Sequence, residues 1–156
     1  MYSQPPDHLV KAAFIYKVAQ FTSWTQQPEL AEGAPLTLCT FGSDDVAASL
    51  PKLEGRAVGG HRLHVVAVRE VAANCAIAYL AESERSRWPQ LLTALHQLGA
   101  LTALDGGMVL EDSGAVLELA TVKDRVVFGV NMERARAAGL SISAKVLRLA
   151  SQVFAL

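Results

Sequence analysis

The C-terminal part of the chain contains Phe128-Gly-Val-Asn131 and, further on, Ala137-Ala-Gly-Leu-Ser-Ile-Ser-Ala-Lys-Val-Leu-Arg-Leu-Ala150. The first segment predicts an apolar strand that ends at the asparagine. A short helix should follow and stop at Gly139, because glycine readily adopts the left-handed conformation that ends helices. Ser141 or Ser143, both suitable N-caps, then predicts the start of an amphipathic terminal helix. Its apolar stripe would consist of Ile142, Val146, Leu149 and Val153.

The rest of the sequence alternates between helices and apolar strands. Helices are predicted over about 8–22, 43–50 and 83–98, and strands over 36–41, 62–68, 76–80, 100–104, 115–122 and 125–130. Strands of nearly continuous apolar character are typical of parallel strands that are covered on both faces. The last two strands are separated only by Lys123-Asp124, which predicts a hairpin. The sequence therefore predicts an α/β three-layer sandwich with a mixed, mostly parallel sheet, a C-terminal β-hairpin and helices on both faces.

Composition indicates one well-filled globular domain. The chain has 156 residues, of which 51% are hydrophobic and 19% are charged. We assign residues 1–156 to a single domain with a flexible segment over about residues 1–7. The formal net charge is −1, with both signs interspersed, so there is no electrostatic case for nucleic acid or an anionic membrane as partner. No apolar run approaches the roughly 20 residues that span a bilayer.

A search for catalytic or metal-binding residues gives no candidate. His61 and His64 are three residues apart, which points them to opposite faces of a strand, and a zinc site needs three or four converging donors. Ser43 lies at a strand-to-helix turn, but this turn lacks the second glycine of the G-x-S-x-G nucleophile motif. We interpret Ser43 as a helix N-cap. The expectation is no catalytic residue, no metal and no cofactor.

Two features bear on the cellular compartment, and the sequence leaves both open. Cys39 and Cys75 lie in or beside predicted strands, where they form either a structural disulfide or two buried free thiols. The first residues, Met1-Tyr-Ser-Gln-Pro-Pro-Asp7, lack the charged and apolar regions of an export signal. The chain is therefore either cytosolic or a mature form whose leader was replaced by a start methionine.

Five segments of the chain, in order, carry a resemblance to a known family. They are Ala12-Ala-Phe-Ile-Tyr16 with Phe21 and Trp24, Leu38-Cys-Thr-Phe-Gly42, Cys75-Ala-Ile-Ala-Tyr-Leu-Ala-Glu-Ser83, Leu101-Thr102 to Asp105, and Phe128 through Ser143. Together they resemble the YfiR-like family of small periplasmic regulators. The chain departs from the family pattern at Lys17, where asparagine is usual, at Thr25, where proline is usual, and at Gly129, where many relatives have glutamate.

The resemblance implies a regulator and not an enzyme. Similar proteins are exported to the periplasm, where they repress an inner-membrane diguanylate cyclase by binding its periplasmic sensory domain. An outer-membrane lipoprotein can compete for the regulator, which couples the state of the envelope to cyclic-di-GMP and biofilm formation. The resemblance also implies a disulfide between Cys39 and Cys75 and sensitivity to redox state, because the periplasm is oxidising.

The surface that binds the partner is expected around the last hairpin and its exit. We predict Phe128, Asn131, Arg134 and Arg136 as docking residues, with helix capping an equally good role for Asn131.

A homodimer is also expected, because the first helix is apolar on most sides, with Lys11 and Lys17 on a narrow solvent-exposed edge. Such a helix is buried either between layers or in a subunit contact. The alternative function is a small-molecule-binding sensory module, since similar domains are fused to signalling kinases. A preformed apolar pocket with convergent polar groups would support it.

Overall fold

The computed structural model describes residues 6–25, 33–110, 112–148 and 152–154. Of the expected flexible segment over residues 1–7, residues 1–5 lie outside the described residues, whereas Asp7 is the first residue of a helix. Leu149, which the sequence places on the stripe of a terminal helix, also lies outside them.

The described helices are α1 (Asp7–Gln20), α2 (Asp45–Ser49), α3 (Trp88–Gln97), α4 (Met132–Ala137) and α5 (Ala144–Leu147). The described strands are β1 (Thr22–Trp24), β2 (Leu36–Phe41), β3 (Ala57–Val58), β4 (His61–Val68), β5 (Cys75–Leu80), β6 (Leu101–Asp105), β7 (Leu117–Val122), β8 (Arg125–Asn131), β9 (Leu140–Ile142) and β10 (Gln152–Phe154). Short 3₁₀ helices cover Leu50–Leu53 and Glu82–Arg87.

Eight of the described strands form one sheet in the order β10-β8-β7-β6-β5-β2-β4-β3, and β1 pairs with β9 outside it. Strands β4, β2, β5, β6 and β7 are parallel, β8 is antiparallel to β7, and β10 is parallel to β8. The β7–β8 turn has positive φ at both Lys123 (51°) and Asp124 (63°), as a tight hairpin turn requires. The predicted mixed, mostly parallel sheet with a hairpin is confirmed.

The sheet separates two hydrophobic cores, which makes three layers. On one face α1, α2 and α4 pack against residues such as Leu38, Ile77 and Phe128. On the other face α3 packs against residues such as Phe41 and Leu80. Alternate side chains of each central strand thus enter different cores, and every residue of β2 and β5 is buried. This is the reason why these strands are almost continuously apolar.

The order of the strands reverses between β2 and β5. The chain moves from β2 to β4 on one side and then crosses to β5 on the other side. This crossover, residues 69–74, contains no helix, and Val71 and Ala72 of the crossover pack against the α3 core. Helices α2 and α3, which follow β2 and β5, consequently lie on opposite faces of the sheet.

A disulfide joins the two strands at this reversal. Cys39 of β2 is bonded to Cys75 at the start of β5, with 5.7 Å between their Cα atoms, and both residues are fully buried. The disulfide that the family resemblance implies is confirmed, and the alternative of two free thiols is wrong.

The predicted terminal helix is wrong. Ser143 does cap a helix, but α5 ends at Leu147. Ile142 belongs to β9, and Val153 belongs to β10, which extends the sheet beside β8. The apolar spacing fits a helical stripe, but in the fold strand pairing overrides this local pattern.

The expected N-cap of α2 is also wrong by one residue. The Asp44 carboxylate, and not the Ser43 hydroxyl, accepts a hydrogen bond from the Ala47 N–H at 2.7 Å. Ser43 instead donates its backbone N–H to the Ser83 hydroxyl at 2.8 Å. A carboxylate at this position also interacts favourably with the positive end of the helix dipole.

The disulfide should stabilise the fold measurably. Replacing Cys39 and Cys75 together by alanine is expected to lower the free energy of unfolding by about 3–4 kcal/mol, because the bond closes a chain loop and restricts the unfolded state. Urea denaturation of the oxidised, reduced and doubly substituted proteins measures this difference. Equal stability of the oxidised and reduced proteins would contradict it, and so would free alkylation of both thiols before reduction.

Candidate functional site

A cleft of about 450 Å³ opens at the carboxyl ends of β2, β5 and β6. It lies where the order of the parallel strands reverses, the place at which open α/β sheets usually bind their ligands. The start of α1, the start of α2 and the loop after β6 form its walls, and these bring Asp7, Asp45 and Gly106 to its lining.

A buried ion pair lies in this cleft. The Lys11 ammonium of α1 contacts the Asp105 carboxylate at the end of β6 at 2.7 Å, and only 7% of the Lys11 side chain is exposed. The other Asp105 oxygen accepts the Gly107 N–H at 2.8 Å. Removal of either charged partner would leave the other buried without compensation, which is strongly destabilising. The pair therefore holds α1 to the sheet. The prediction that Lys11 lies on a solvent-exposed edge of α1 is wrong.

Asp44 organises the second wall of the cleft. Besides capping α2, its carboxylate accepts hydrogen bonds from the Tyr79 hydroxyl at 2.8 Å and from the Glu82 N–H at 3.2 Å. Burial, followed by the charge of Asp44, raises the pKa of Tyr79 far above its usual range. Tyr79 consequently stays protonated and donates to Asp44, so this pair is a fixed structural element.

The cleft carries an excess of negative charge. Five carboxylates line it, together with Lys11 and Arg85 as its only fixed cations among the described residues. Lys11 is paired with Asp105, and Arg85 lies 3.5 Å from Glu82. The exposed carboxylates of Asp7 and Asp45 have no ion-pair partner within the described part of the chain. Such a lining favours a positively charged ligand.

The predicted docking residues occupy two different environments. Phe128 and Asn131 are both 1% exposed, and the Phe128 ring packs against Phe14 of α1 with 4.8 Å between ring centres. The Asn131 carboxamide oxygen accepts the Arg134 N–H at 2.8 Å and caps α4. Phe128 therefore lies beneath α1, and Asn131 lies at the start of α4.

Arg134 and Arg136 lie on α4 itself. The Arg134 guanidinium is 3.2 Å from Asp112, and the Arg136 guanidinium is 3.0 Å from Glu133. Of the Arg136 side chain 72% is exposed, against 32% of Arg134. We call Arg134 and Arg136 with their two acidic partners the α4 face.

His96, near the end of α3, interacts electrostatically with Arg134 of this face. Its Nε2 atom is 2.8 Å from the Thr102 hydroxyl, which in turn accepts the Val116 N–H. Burial of the imidazole, followed by the positive charge of Arg134, lowers the pKa of His96 to about 4. His96 is therefore neutral at physiological pH and links the end of α3 to β6 through Thr102.

Sequence reasoning missed the cleft residues Lys11, Asp44 and Asp105. One signal could have found the two carboxylates. Asp105 directly follows a predicted buried strand and Asp44 comes three residues after another, and the carboxyl ends of parallel strands meet at one edge of a sheet. Lys11 gives no such signal, since its partner is distant in the sequence. In the described residues no group of three or more His, Cys, Asp or Glu side chains could hold a metal ion, and no helix has the length and apolarity to cross a membrane.

Fold and site together define a domain of the α/β class, with an open cleft and a separate charged helix face. The chain belongs to the YfiR/HmsC-like family, DUF4154, whose match covers residues 8–151. This is a family of periplasmic regulatory domains that act in cyclic-di-GMP signalling. The buried disulfide fits an oxidising compartment of this kind.

Solved structures share this fold at low sequence identity. A conserved domain protein from Vibrio cholerae is 12% identical with a TM-score of 0.56, over 91% of this chain and 59% of that one. The ABC domain in complex with L-Trp from Streptococcus pneumonia is 10% identical with a TM-score of 0.50, over 89% of this chain and 61% of that one. This chain thus spans about three fifths of the length of each. No curated protein sequence matches.

The lowered pKa of His96 predicts a pH dependence of stability. Below pH 6.5 the unfolded chain binds a proton on His96 more readily than the folded protein does, so acid favours unfolding. The stabilisation is present above pH 6.5 and is lost as the pH falls towards 4. We expect about 1–2 kcal/mol, because the ring is only partly buried.

The measurement compares urea denaturation of the wild type with that of His96→Gln, which keeps a polar group near Thr102 but does not titrate. The carboxylates titrate in both proteins, so the difference between the two pH profiles isolates His96. Parallel profiles from pH 7 to pH 4 would mean that His96 has no such role.

Proposed function

We propose that this chain is a periplasmic signalling repressor that binds the periplasmic sensory domain of an inner-membrane diguanylate cyclase. It would couple the state of the envelope, or its redox state, to cyclic-di-GMP and biofilm formation, with an outer-membrane lipoprotein as a competitor for the repressor. The observation that carries the proposal is membership of the YfiR/HmsC-like family over residues 8–151.

Repression of this kind requires only differential binding. A repressor that binds the inactive arrangement of the cyclase a few kcal/mol more tightly than the active one shifts the equilibrium towards the inactive state. No catalytic group is needed in the repressor. A lipoprotein that competes for the same protein would release the cyclase by mass action. We also propose that the repressor acts as a homodimer.

The α4 face is our proposed docking surface, with Phe128 and Asn131 of the preceding strand as positioning residues. The Asn131 cap fixes the start of α4, and the packing of Phe128 on Phe14 holds β8, the strand that leads into α4, against α1. The Arg136 guanidinium is largely exposed and suits an acidic group on the partner. Phe128 and Asn131 are buried, so they act through α4 and not by direct contact.

The α4 face should be sensitive to charge reversal. Replacing Arg134 and Arg136 together by glutamate is expected to weaken binding to the sensory domain about tenfold or more, because attractive contacts become repulsive. The matched control replaces Lys17 and Lys52, both exposed, by glutamate and changes net charge equally. Titration calorimetry with the sensory domain of a cyclase from the same operon measures both affinities.

Two results would contradict this proposal at different levels. Equal weakening by both double variants would reject the α4 face and leave only a net-charge effect. No association of the wild type, in either oxidised or reduced form, would reject the cyclase as partner.

The second candidate function is a small-molecule-binding sensory module, and the cleft at the strand reversal favours it. We propose a small organic cation as the ligand class, because carboxylates outnumber cations in the lining. Asp7 and Asp45 lie in the first turns of α1 and α2, and their exposed carboxylates have no ion-pair partner in the described residues. Their carboxylates are the groups that a ligand ammonium would contact.

A thermal-shift series tests the cleft. Small mono- and diammonium compounds at saturating concentration are expected to raise the melting temperature by several degrees. Carboxylate compounds of similar size should not. Replacing Asp7 and Asp45 together by asparagine should abolish the shift, whereas Asp124→Asn, an exposed carboxylate on the hairpin, should keep it. Absence of any cation-specific shift in the wild type would reject this candidate.

A further inference from the structure

Strand β4 is incompletely covered on the side away from β2. The short strand β3 pairs only with His61 and Arg62, while β2 covers β4 on the other side as far as Val68. The remaining part of β4 therefore forms an edge of the sheet. Exposed edges are templates for pairing with another strand.

Along this edge some backbone groups already have partners. Because N–H and C=O groups alternate in direction along a strand, the odd-numbered residues of β4 point away from β2. The Leu63 N–H donates to the Arg56 carbonyl at 2.8 Å, and the Leu63 carbonyl accepts from the Gly55 N–H at 2.9 Å. The Val65 N–H donates to the Glu54 carboxylate at 2.7 Å.

At the far end of the edge, the Arg69 carbonyl accepts from the Arg87 guanidinium at 3.1 Å. Between Glu54 and Arg87, the N–H and C=O of Ala67 have no hydrogen-bond partner among the residues that the structure describes, and Ala67 is exposed. Its neighbours Val66 and Val68 are half-buried against the α3 core. The edge is thus a short apolar segment with an unpaired centre and a charged group at each end.

We propose that two copies of this protein pair through their β4 edges, antiparallel, about a two-fold axis at Ala67. In this register Ala67 of each copy donates its N–H to the carbonyl of the other Ala67, and Val66 of one copy faces Val68 of the other. The inference deepens the proposed homodimer by naming its surface, and it does not depend on the cyclase.

Charge complementarity points to a second copy as the occupant. One end of the edge carries Glu54 with His64 at 3.4 Å, and the other end carries Arg87 with Glu70 at 3.2 Å. A two-fold axis at Ala67 exchanges the ends. Glu54 of one copy then meets Arg87 of the other, and the His64 ring faces the Glu70 carboxylate, which can accept a hydrogen bond from it. The carboxylate of Glu54 and the guanidinium of Arg87 are thus complementary across the axis, as a self-complementary interface requires.

The alternative surface, α1, has little apolar area left for a subunit contact. Its residues Ile15 and Val18 are fully buried, and Phe14 packs on Phe128. The exposed positions of α1 include Ala13 and Lys17. The apolar residues of α1, from which a dimer through this helix was predicted, therefore pack against the core of their own chain.

Charge substitutions at the two-fold axis test the interface. Ala67→Lys and Ala67→Asp each place like charges directly opposite one another, so each should weaken dimerisation about tenfold or more. An equimolar mixture of the two variants should form a heterodimer, because opposite charges then face each other. Ala13→Lys, the same change on the exposed side of α1, should dimerise as the wild type does.

Sedimentation velocity over a concentration series gives the dimer affinities, and thermal unfolding checks that each variant is folded. The inference is overturned if the wild type stays monomeric or if the Ala67→Lys protein dimerises as the wild type does. It is also overturned if the mixture of Ala67→Lys and Ala67→Asp does not form a dimer. Loss of dimer only in Ala13→Lys would place the interface on α1. The double glutamate variant of the α4 face should remain dimeric, which separates this test from that of cyclase binding.

Discussion

The pairing of β2 with β5 is the constraint on which the other features depend. Both strands are buried on both faces, and the disulfide between Cys39 and Cys75 ties them together beneath the crossover. Because the strand order reverses here, α2 and α3 leave the sheet on opposite faces. Their separation opens the cleft at the carboxyl ends of the strands. The position of the candidate ligand site is thus a consequence of topology and not of any local motif.

The ion pair of Lys11 with Asp105 fixes α1 on this framework. Helix α1 precedes the sheet in the sequence, so no crossover connection determines where it packs. Its apolar residues could slide along the core, but a buried ammonium has one carboxylate at 2.7 Å to satisfy it. A wrong register would leave both charges uncompensated, at a cost of several kcal/mol. We infer that this pair specifies the position of α1 more than it adds net stability.

Much of the fold could be predicted, because its signals are local. Apolar runs predicted β2 and β5, and Lys123-Asp124 predicted the hairpin of β7 and β8. Predictions failed where contacts with elements distant in the sequence determine the local structure. Ile142 and Val153 fit a helical stripe but pair with β1 and β8. The site was harder still, because Lys11 and Asp105 are 94 residues apart, and nothing in the local sequence showed that Phe128 is buried against α1.

Helix α1 connects the two proposed binding surfaces physically. Lys11 lines the cleft, and one turn further along Phe14 packs on Phe128 of β8, the strand whose last residue, Asn131, caps α4. A ligand that shifts α1 would therefore act on the strand that carries the cap of α4. By thermodynamic reciprocity, a partner that holds α4 in one position would change the affinity of the cleft by the same factor. The contacts from the cleft to α4 are continuous, which is a structural argument for coupling between the two sites. The coupling itself is a free energy, and it must change the affinities at both sites equally.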